Sequence, residues 1–425
     1  LKARKTDLRS KCVLVADHGL FVELAPRLAR EFGHVKLWVP WMSGYPRSAQ
    51  AHVGCGIEGV ERVERFWDHA PDADLIVFPD LYMADMARIC KERLNKSVWS
   101  HLDAEILELD RTGTRKLQKK LGISAPRTRR FVGVEALSDY LRGTENKWVK
   151  ISTFRGDGET WHHDTWHTTE ILLNEFVKRV GALAGCYEFM VEDHVEGIEV
   201  GYDGFTFRGE WPDAAYWGFE IKDQGYVGKF SPYSEMPKEI RHINAAVAPV
   251  LKEEGAVGFC SFEFRLTEGS DAVMIDPCMR CGSPPVEGVM EGYENLGEVM
   301  WVAAHGDVPA VQSAGEYVAI AMISSQFATQ NWVPIDFPPS IERWVKLRNK
   351  AVVDGKVYHV PTFGDWNQQP EIGAVVAVAD TLEEAKRLVR ERAEKVRGYL
   401  VEVSVDALDC AEDEIARAKK YGVEF

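Results

Sequence analysis

The sequence predicts a chain of several lobes in the α/β and α+β classes, led by a doubly wound α/β domain. The first hundred residues alternate short apolar strands with amphipathic helical segments, which is the order of parallel α/β layers. At 425 residues the chain is too long for one small core, and a hydrophobic content of 45% is ample to bury two to four. After Gly306 the pattern changes to strands, a hairpin and one long amphipathic helix, which indicates a separate α+β lobe.

The net charge of −15 disfavours a non-specific nucleic-acid binder, because such binding rests on Lys and Arg neutralising backbone phosphates. No run approaches the roughly 18 apolar residues that span a bilayer. The first residues, LKARKTDLRSKCVLVADHG, lack an apolar h-region and a cleavage site, so a cytoplasmic location is expected. The cysteines at 12, 55, 90, 186, 260, 278, 281 and 410 lack the regular spacing of a secreted disulfide scaffold, and reduced thiols are the expectation. Cys278 and Cys281 form a C-x-x-C, but neither a second pair nor a His cluster completes a zinc site.

Taken in order, Cys12–Ala16 is a strand, Phe21–Phe32 a helix, Val35–Val39 and Leu75–Phe78 strands, and Leu81–Leu94 a helix. The turn Ala16-Asp17-His18-Gly19 has one glycine, so it does not support a dinucleotide fingerprint. A helix follows Asp110-Arg111 as far as Leu121, where Gly122 stops it and Pro126 prevents its continuation. Trp148–Ile151 is a strand with Lys150 inside an apolar run, costly to bury unless the ammonium meets an anion. The polar loop 152–159, with two glycines, hydroxyls and Arg155, suits a flap whose N–H groups cover phosphates.

The His-rich run 161–167 reads as a surface strand and turn in preference to a metal site. Tyr187–Val191 and Ile198–Tyr202 are strands joined by the acidic stretch Glu192–Gly197. On its residues alone that stretch reads as an ordinary acidic hairpin. Glu220–Pro232 reads as a turn-rich loop and Pro237–Glu253 as a helix. The runs Val257–Leu266 and Ala272–Ile275 then flank a polar turn, and symmetric pairing about Gly269-Ser270 sets Glu263 opposite Asp276. Opposed Cβ atoms lie roughly 5 Å apart, close enough for two carboxylates to hold hard cations. Alternation carries Asp276, Cys278 and Arg280 to one face and Phe262, Phe264 and Ile275 to the core. An exposed hairpin face with such charges is also common without function. In the last lobe Glu316–Ile323 and Ala374–Val378 are strands, Val352–Val360 is a hairpin around Asp354-Gly355, and Thr381 caps a helix to Val396.

The stretch Asp276-Pro277-Cys278-Met279-Arg280 resembles the Glu-x-Asn-x-Arg strand of ATP-grasp enzymes. The run Arg280–Pro285 resembles the Arg-Phe-Gly-Asp-Pro-Glu run of phosphoribosylamine-glycine ligases. Asp-Arg at 110–111, eleven residues before Gly122, followed by Gly-Ile-x-x-Pro, is similar to the start of the same domain in carbamoyl-phosphate synthetases. Val357-Tyr358-His359, Gly373–Val378 and Thr381–Ala385 resemble the C-terminal domain of the ligases. The resemblance implies an N-terminal domain at 1–110, an ATP-grasp domain with a small lid subdomain at 111–310 and a C-terminal domain at 311–425. It implies that Arg111, Lys150 and Arg155 meet ATP phosphates, that the hinge from Glu192 to Val195 meets adenine, and that Glu199, seven residues after Glu192, binds the ribose. Glu263 and Asp276 would hold Mg²⁺ or Mn²⁺, Arg280 and Lys150 would be catalytic, and Lys222, Cys278 and Ser283 would lie on the substrate side.

The implied activity joins a small-molecule carboxylate to an amine through an acyl phosphate, with ADP and phosphate released. A homodimer is left open. The alternatives are phosphoribosylamine-glycine ligase activity proper, a phosphotransferase that stops at phosphorylation, and a non-catalytic nucleotide-binding protein. Asp276 stands for the usual Glu and keeps an oxygen ligand, whereas Cys278 stands for Asn and alters the second metal position. Asp80, after Pro79, stands where the ligases carry Glu. Asp17–Phe21 puts charge and bulk where the ligases have glycines, the loop at Lys222–Pro232 is shorter, and Ser283 replaces Asp. A changed substrate is therefore expected.

Overall fold

The computed structural model describes residues 6–40, 52–152, 160–268, 272–361 and 370–425. Its first unit is a five-stranded parallel sheet of β1 (Cys12–Ala16), β2 (His34–Trp38), β3 (Glu61–Val63), β4 (Leu75–Val77) and β5 (Ser97–Trp99), in the order β3-β2-β1-β4-β5. Alternation along β1 sends Val13 and Val15 into one core with Leu24, Ala25 and Leu28 of the helix Leu24–Ala29. Leu14 and Ala16 enter a second core with Ala87 and Cys90 of the helix Ala84–Glu92. Both faces are covered, as a doubly wound sheet requires. The two helices are shorter than their apolar periodicity suggests. Tyr82 at φ 67° cannot continue a right-handed helix, while Phe21 and Phe32 reach the core from the flanking turns.

A second, antiparallel sheet contains β6 (Thr128–Val132), β7 (Lys147–Ile151), β8 (Thr160–His163) and β9 (Glu188–Asp193), in the order β6-β9-β7-β8. Leu137, Leu141, Leu173 and Phe176 of two helices pack on Val149, Ile151, Phe189 and Val191. By alternation, Lys150 and Glu192 belong to the opposite face. His163 is fully buried and bonded to Thr169 Oγ1 at 2.6 Å, so this part of the His run is a packed strand and not a surface one.

The remaining strands are β10 (Ile198–Tyr202), β11 (Phe205–Phe207), β12 (Ala214–Ile221), β13 (Gly225–Pro232), β14 (Val257–Phe259), β15 (Ser261–Leu266), β16 (Ala272–Cys278), β17 (Tyr317–Ser324), β18 (Val333–Asp336), β19 (Val345–Leu347), β20 (Lys350–Val353), β21 (Lys356–His359) and β22 (Glu371–Ala379), with two-residue strands at Arg397–Gly398 and Glu402–Val403. Among the described residues a nine-stranded sheet runs β16-β15-β10-β12-β13-β17-β22-β19, with Glu402–Val403 paired to β17. The sheet that begins at the Glu263/Asp276 hairpin therefore continues across residue 310 into the C-terminal strands. β9 and β10 lie in different sheets, so the stretch is no hairpin: Glu192 and Asp193 end β9, and residues 194–197 connect the two sheets.

Glu220–Pro232, expected as a turn-rich loop, is instead the second half of the β12–β13 hairpin, with a turn only around Asp223 at φ 60°. Its glycines read as turn signals, yet Gly228 serves the sheet. A Cβ there would come 2.5 Å from the Tyr216 ring. The C-terminal turn and cap fall where expected: Asp354 and Gly355 turn the β20–β21 hairpin at φ 51° and 72°, and Thr381 Oγ1 accepts from Glu384 N at 3.3 Å, whereas β17, β22 and β19 extend the central sheet and do not form a separate one.

One buried carboxylate joins distant parts of the chain. Glu291, on the helix Pro285–Gly292, accepts from Arg30 at 2.8 and 2.9 Å, from Arg343 Nη2 at 2.8 Å and from Lys346 at 2.6 Å. Arg27 adds bonds to the Met290 and Tyr293 carbonyls, both at 2.6 Å. No described helix is long and apolar enough to cross a membrane.

Candidate active site

Lys150 answers the problem its sequence poses. Its Nζ crosses from the second sheet to the third, 2.8 Å from Asp276 Oδ2 on β16, and also lies 3.0 Å from Glu192 Oε2 on β9. Burial pulls the ammonium pKa down, but Asp276 and Glu192 outweigh it and hold Lys150 above its usual range. Arg111 opens the helix Arg111–Leu121, whose N-cap Asp110 accepts from Gly113 N at 2.8 Å. The Arg111 guanidinium donates to Ile151 O at 2.6 Å and Thr160 Oγ1 at 3.1 Å, and its Nε lies 3.9 Å from Asp276 Oδ1. One helical turn later, Arg115 bonds Glu192 at 2.6 Å and the Ile275 carbonyl at 2.5 Å. Arg115 was not among the expected residues, although its i+4 spacing from Arg111 is visible in the sequence.

The hairpin pairs Glu263 with Asp276 as expected. The register shifts between Glu263 and Phe264, which sets Phe264 opposite Met274. Met274 therefore fills the core where Ile275 was expected, and Ile275 is half-buried. On the next strand Gly201 faces Glu263, and its missing Cβ leaves room for Asp203, whose Oδ2 would be 2.6 Å away. Asp203 accepts from Tyr226 OH at 2.6 Å and Ser261 Oγ at 2.5 Å, and burial pushes its carboxyl up to about 7.

Glu199 pairs with Arg265 at 2.7 Å. Burial, then the nearby Glu263, pushes Glu199 up, and burial pushes Glu220 up to about 8 despite Lys222, with Glu263 and Glu199 adding to it. Lys222 lies 3.8 Å from Glu220 and 3.9 Å from Glu263, and the two carboxylates, Glu263 foremost, push its ammonium well up. Carboxylates crowded in this way suit a cation. Two opposed acids are also what Mg²⁺ ordinarily takes from a protein when phosphates and water complete its shell. Among the described residues no group of three or more His, Cys, Asp or Glu could hold a metal by itself.

Arg280 is held by Glu108, whose Oε1 accepts from Arg280 Nε at 3.1 Å while Oε2 accepts from Met279 N at 2.6 Å. Cys278 pairs in register with Ser261. Ser283 donates to Glu287 at 2.5 Å and accepts from Arg348 at 2.9 Å, so it is tied to the C-terminal part of the chain. Val195 is half-buried in the connection between the two sheets. Arg155 with its loop, and the Gly269-Ser270 turn, lie outside the described residues. Glu108, Arg115, Glu220 and Arg265 complete the surroundings of the expected residues, and only Arg115 carried a sequence signal.

The chain has the ATP-grasp fold, and in it a lysine of the second sheet reaches an acid of the third. Solved structures with that fold match nearly the whole chain. Phosphoribosylamine-glycine ligase from Thermotoga maritima is 16% identical, with a TM-score of 0.68, over 92% of this chain and 98% of its own. The biotin carboxylase domain of the Hydrogenobacter thermophilus 2-oxoglutarate carboxylase, in complex with MgADP, ADP and bicarbonate, is 15% identical with a TM-score of 0.65, over 96% and 95%. L-amino acid ligase from Bacillus licheniformis is 14% identical with a TM-score of 0.59, over 92% and 99%. No protein-family model and no curated protein sequence matches the chain.

Proposed function

We propose that this protein is an ATP-dependent carboxylate–amine ligase working through an acyl phosphate. The observation that carries the reading is the ion cluster of Lys150, Arg111, Glu192 and Asp276, assembled from two sheets and the start of a helix. Glu263 and Asp276 fit a bound Mg²⁺, which would supply Lewis-acid neutralisation of phosphate charge. Lys150 from the opposite sheet and Arg111 from the first turn of its helix offset phosphate charge, and Arg155 is assigned the same task. The connection from Glu192 to Val195 offers backbone groups to adenine, and Glu199 can accept from ribose hydroxyls once Arg265 yields. Arg280, oriented by Glu108, is assigned to the transferring phosphoryl group or the acyl oxygen. Lys222 stands beside Glu263 as a further cation toward substrate. Cys278 and Ser283 are assigned to the substrate side, and substrates are small molecules. The MgADP held by a structure of the same fold supports the nucleotide.

The direct experiment measures ADP and phosphate release against added carboxylate and amine. Release that needs both, with a product equal in mass to the two joined less one water, is the expected result. ADP release with the carboxylate alone, with the phosphate retained on the carboxylate and no amide formed, would make the protein a phosphotransferase. Phosphoribosylamine, glycine and MgATP together are expected to give no glycinamide ribonucleotide at ordinary enzyme rates, about 1 per second or more. The charged, bulky Asp17–Phe21 turn and the Ser283 bonds to Glu287 and Arg348 support that expectation. Glu199→Ala should raise the KM for ATP about tenfold and change kcat less than about twofold, because ribose contacts are equal in ground and transition states. A collapse of kcat with unchanged KM would place Glu199 at the chemistry instead.

A further inference from the structure

The charged groups between the second and third sheets form one row that alternates in sign. Arg115 lies 2.6 Å from Glu192 Oε1, and Glu192 Oε2 lies 3.0 Å from Lys150 Nζ. Lys150 Nζ lies 2.8 Å from Asp276 Oδ2, and Asp276 Oδ1 lies 3.9 Å from Arg111 Nε. Both oxygens of Asp276 thus face cations of the chain itself. The row is also enclosed: the side chains of Lys150, Glu192 and Arg111 are 3%, 2% and 3% exposed, and that of Asp276 is 17% exposed. Glu263, opposite Asp276 in the hairpin, has a longer contact, 3.9 Å to Lys222.

This arrangement sets Lys150 against a divalent cation at Asp276. The ammonium puts a positive charge beside Oδ2, and in so enclosed a place the repulsion of a second cation is poorly screened. Nor can Lys150 step back unaided. An enclosed ammonium that gives up a carboxylate needs another anion within reach, because water does not replace the lost partner there. A nucleotide phosphate is such an anion.

We propose that Lys150 keeps the cation position at Asp276 closed until a nucleotide phosphate draws its ammonium away, so that the protein takes up cation and nucleotide together and refuses the cation alone. The inference rests on the ligase reading, which places Asp276 at the cation and Lys150 at the phosphates. Lys150 exchanges Asp276 for a phosphate oxygen and keeps Glu192, while Asp276 exchanges Lys150 for the cation. Arg115 remains on Glu192 and Arg111 on Asp276, so the row stays alternating in sign in both arrangements. No covalent bond changes in this exchange.

Two titrations on the whole chain test it without turnover: Mn²⁺ alone, followed by its electron paramagnetic resonance, and ADP in the presence of EDTA, followed by calorimetry. Lys150→Met should bind Mn²⁺ about tenfold or more tightly than wild type and ADP about tenfold or more weakly. Opposite signs are the signature, since a merely structural loss would weaken both. The gain in Mn²⁺ affinity should vanish in the double variant with Asp276→Asn. It should also be absent in Lys147→Met, which removes an equal charge from the same strand, where Lys147 pairs with Asp193 at 2.9 Å. In the wild-type background, without nucleotide, Asp276→Asn should change Mn²⁺ affinity by less than about twofold, a result that does not depend on Lys150→Met folding. The proposal is overturned if a folded Lys150→Met protein binds Mn²⁺ no more tightly than wild type or binds ADP as well. It is equally overturned if Lys147→Met gains as much, if the gain survives Asp276→Asn, or if Asp276→Asn alone weakens Mn²⁺ about fivefold or more. A wild-type protein that binds no ADP even with Mg²⁺ would overturn the ligase reading, and a gain in Mn²⁺ affinity on Lys150→Met would then still assign Lys150 as the guard of Asp276.

Discussion

Asp276→Asn should lower turnover about a thousandfold while the protein stays folded, since it removes one charged oxygen from the pair proposed to hold Mg²⁺. The fold should tolerate the change because Lys150 keeps its 3.0 Å contact with Glu192 and Arg111 keeps its bonds to Ile151 O and Thr160. ADP release at saturating MgATP, compared with circular dichroism of the same sample, reads both halves of the expectation. Turnover within a few-fold of wild type would remove Asp276 from the metal site and with it the reading of the hairpin.

The largest effect on stability is expected at Glu291→Gln. Its carboxylate is fully enclosed and satisfies Arg30, Arg343 and Lys346. The two arginines reach solvent, with 37% and 52% of their side chains exposed, but Lys346 at 3% does not. Leaving that ammonium without its carboxylate should cost about 3–5 kcal/mol, read as a lower urea midpoint. Burial pushes Glu291 up, yet Lys346 and Arg30 outweigh it and hold the carboxyl at about 2, below its ordinary 4.5. The stability it contributes is complete above pH 4.5 and is lost as pH falls toward about 2. The wild type should lose stability across that window faster than the variant does, and a variant within about 1 kcal/mol of wild type at neutral pH would show the cluster to be dispensable.

What was legible in the sequence was local. The pairing of Glu263 with Asp276 followed from alternation and a turn, and Lys150 stood out because an ammonium in an apolar strand needs a partner. Ile275 was misplaced because a bulge shifts every side chain beyond it by one position. The β13 strand was hidden because Gly225 and Gly228 read as turn residues, whereas the Tyr216 and Tyr226 rings occupy the space a side chain at Gly228 would need. Glu108, Glu291 and Arg265 were missed because they act through partners from other elements, 172 positions away for Glu108 and Arg280. Periodicity carries no information about such pairings. The acidic stretch after Glu192 reads locally as a hairpin, because nothing in its residues tells that β9 and β10 belong to different sheets.

The continuity of the large sheet bears on how this chain can be taken apart. β13 is flanked by β12 on one side and by β17 on the other, and β17 comes from beyond residue 310. A fragment ending there would present the eight residues of β13 as a bare edge, with Tyr226, Val227 and Phe230 along it. Such an edge recruits other chains. The C-terminal strands thus cover that edge, and a shortened chain meant to isolate the lobe ahead of residue 310 would need β17 and its neighbour β22 grafted back to keep β13 paired.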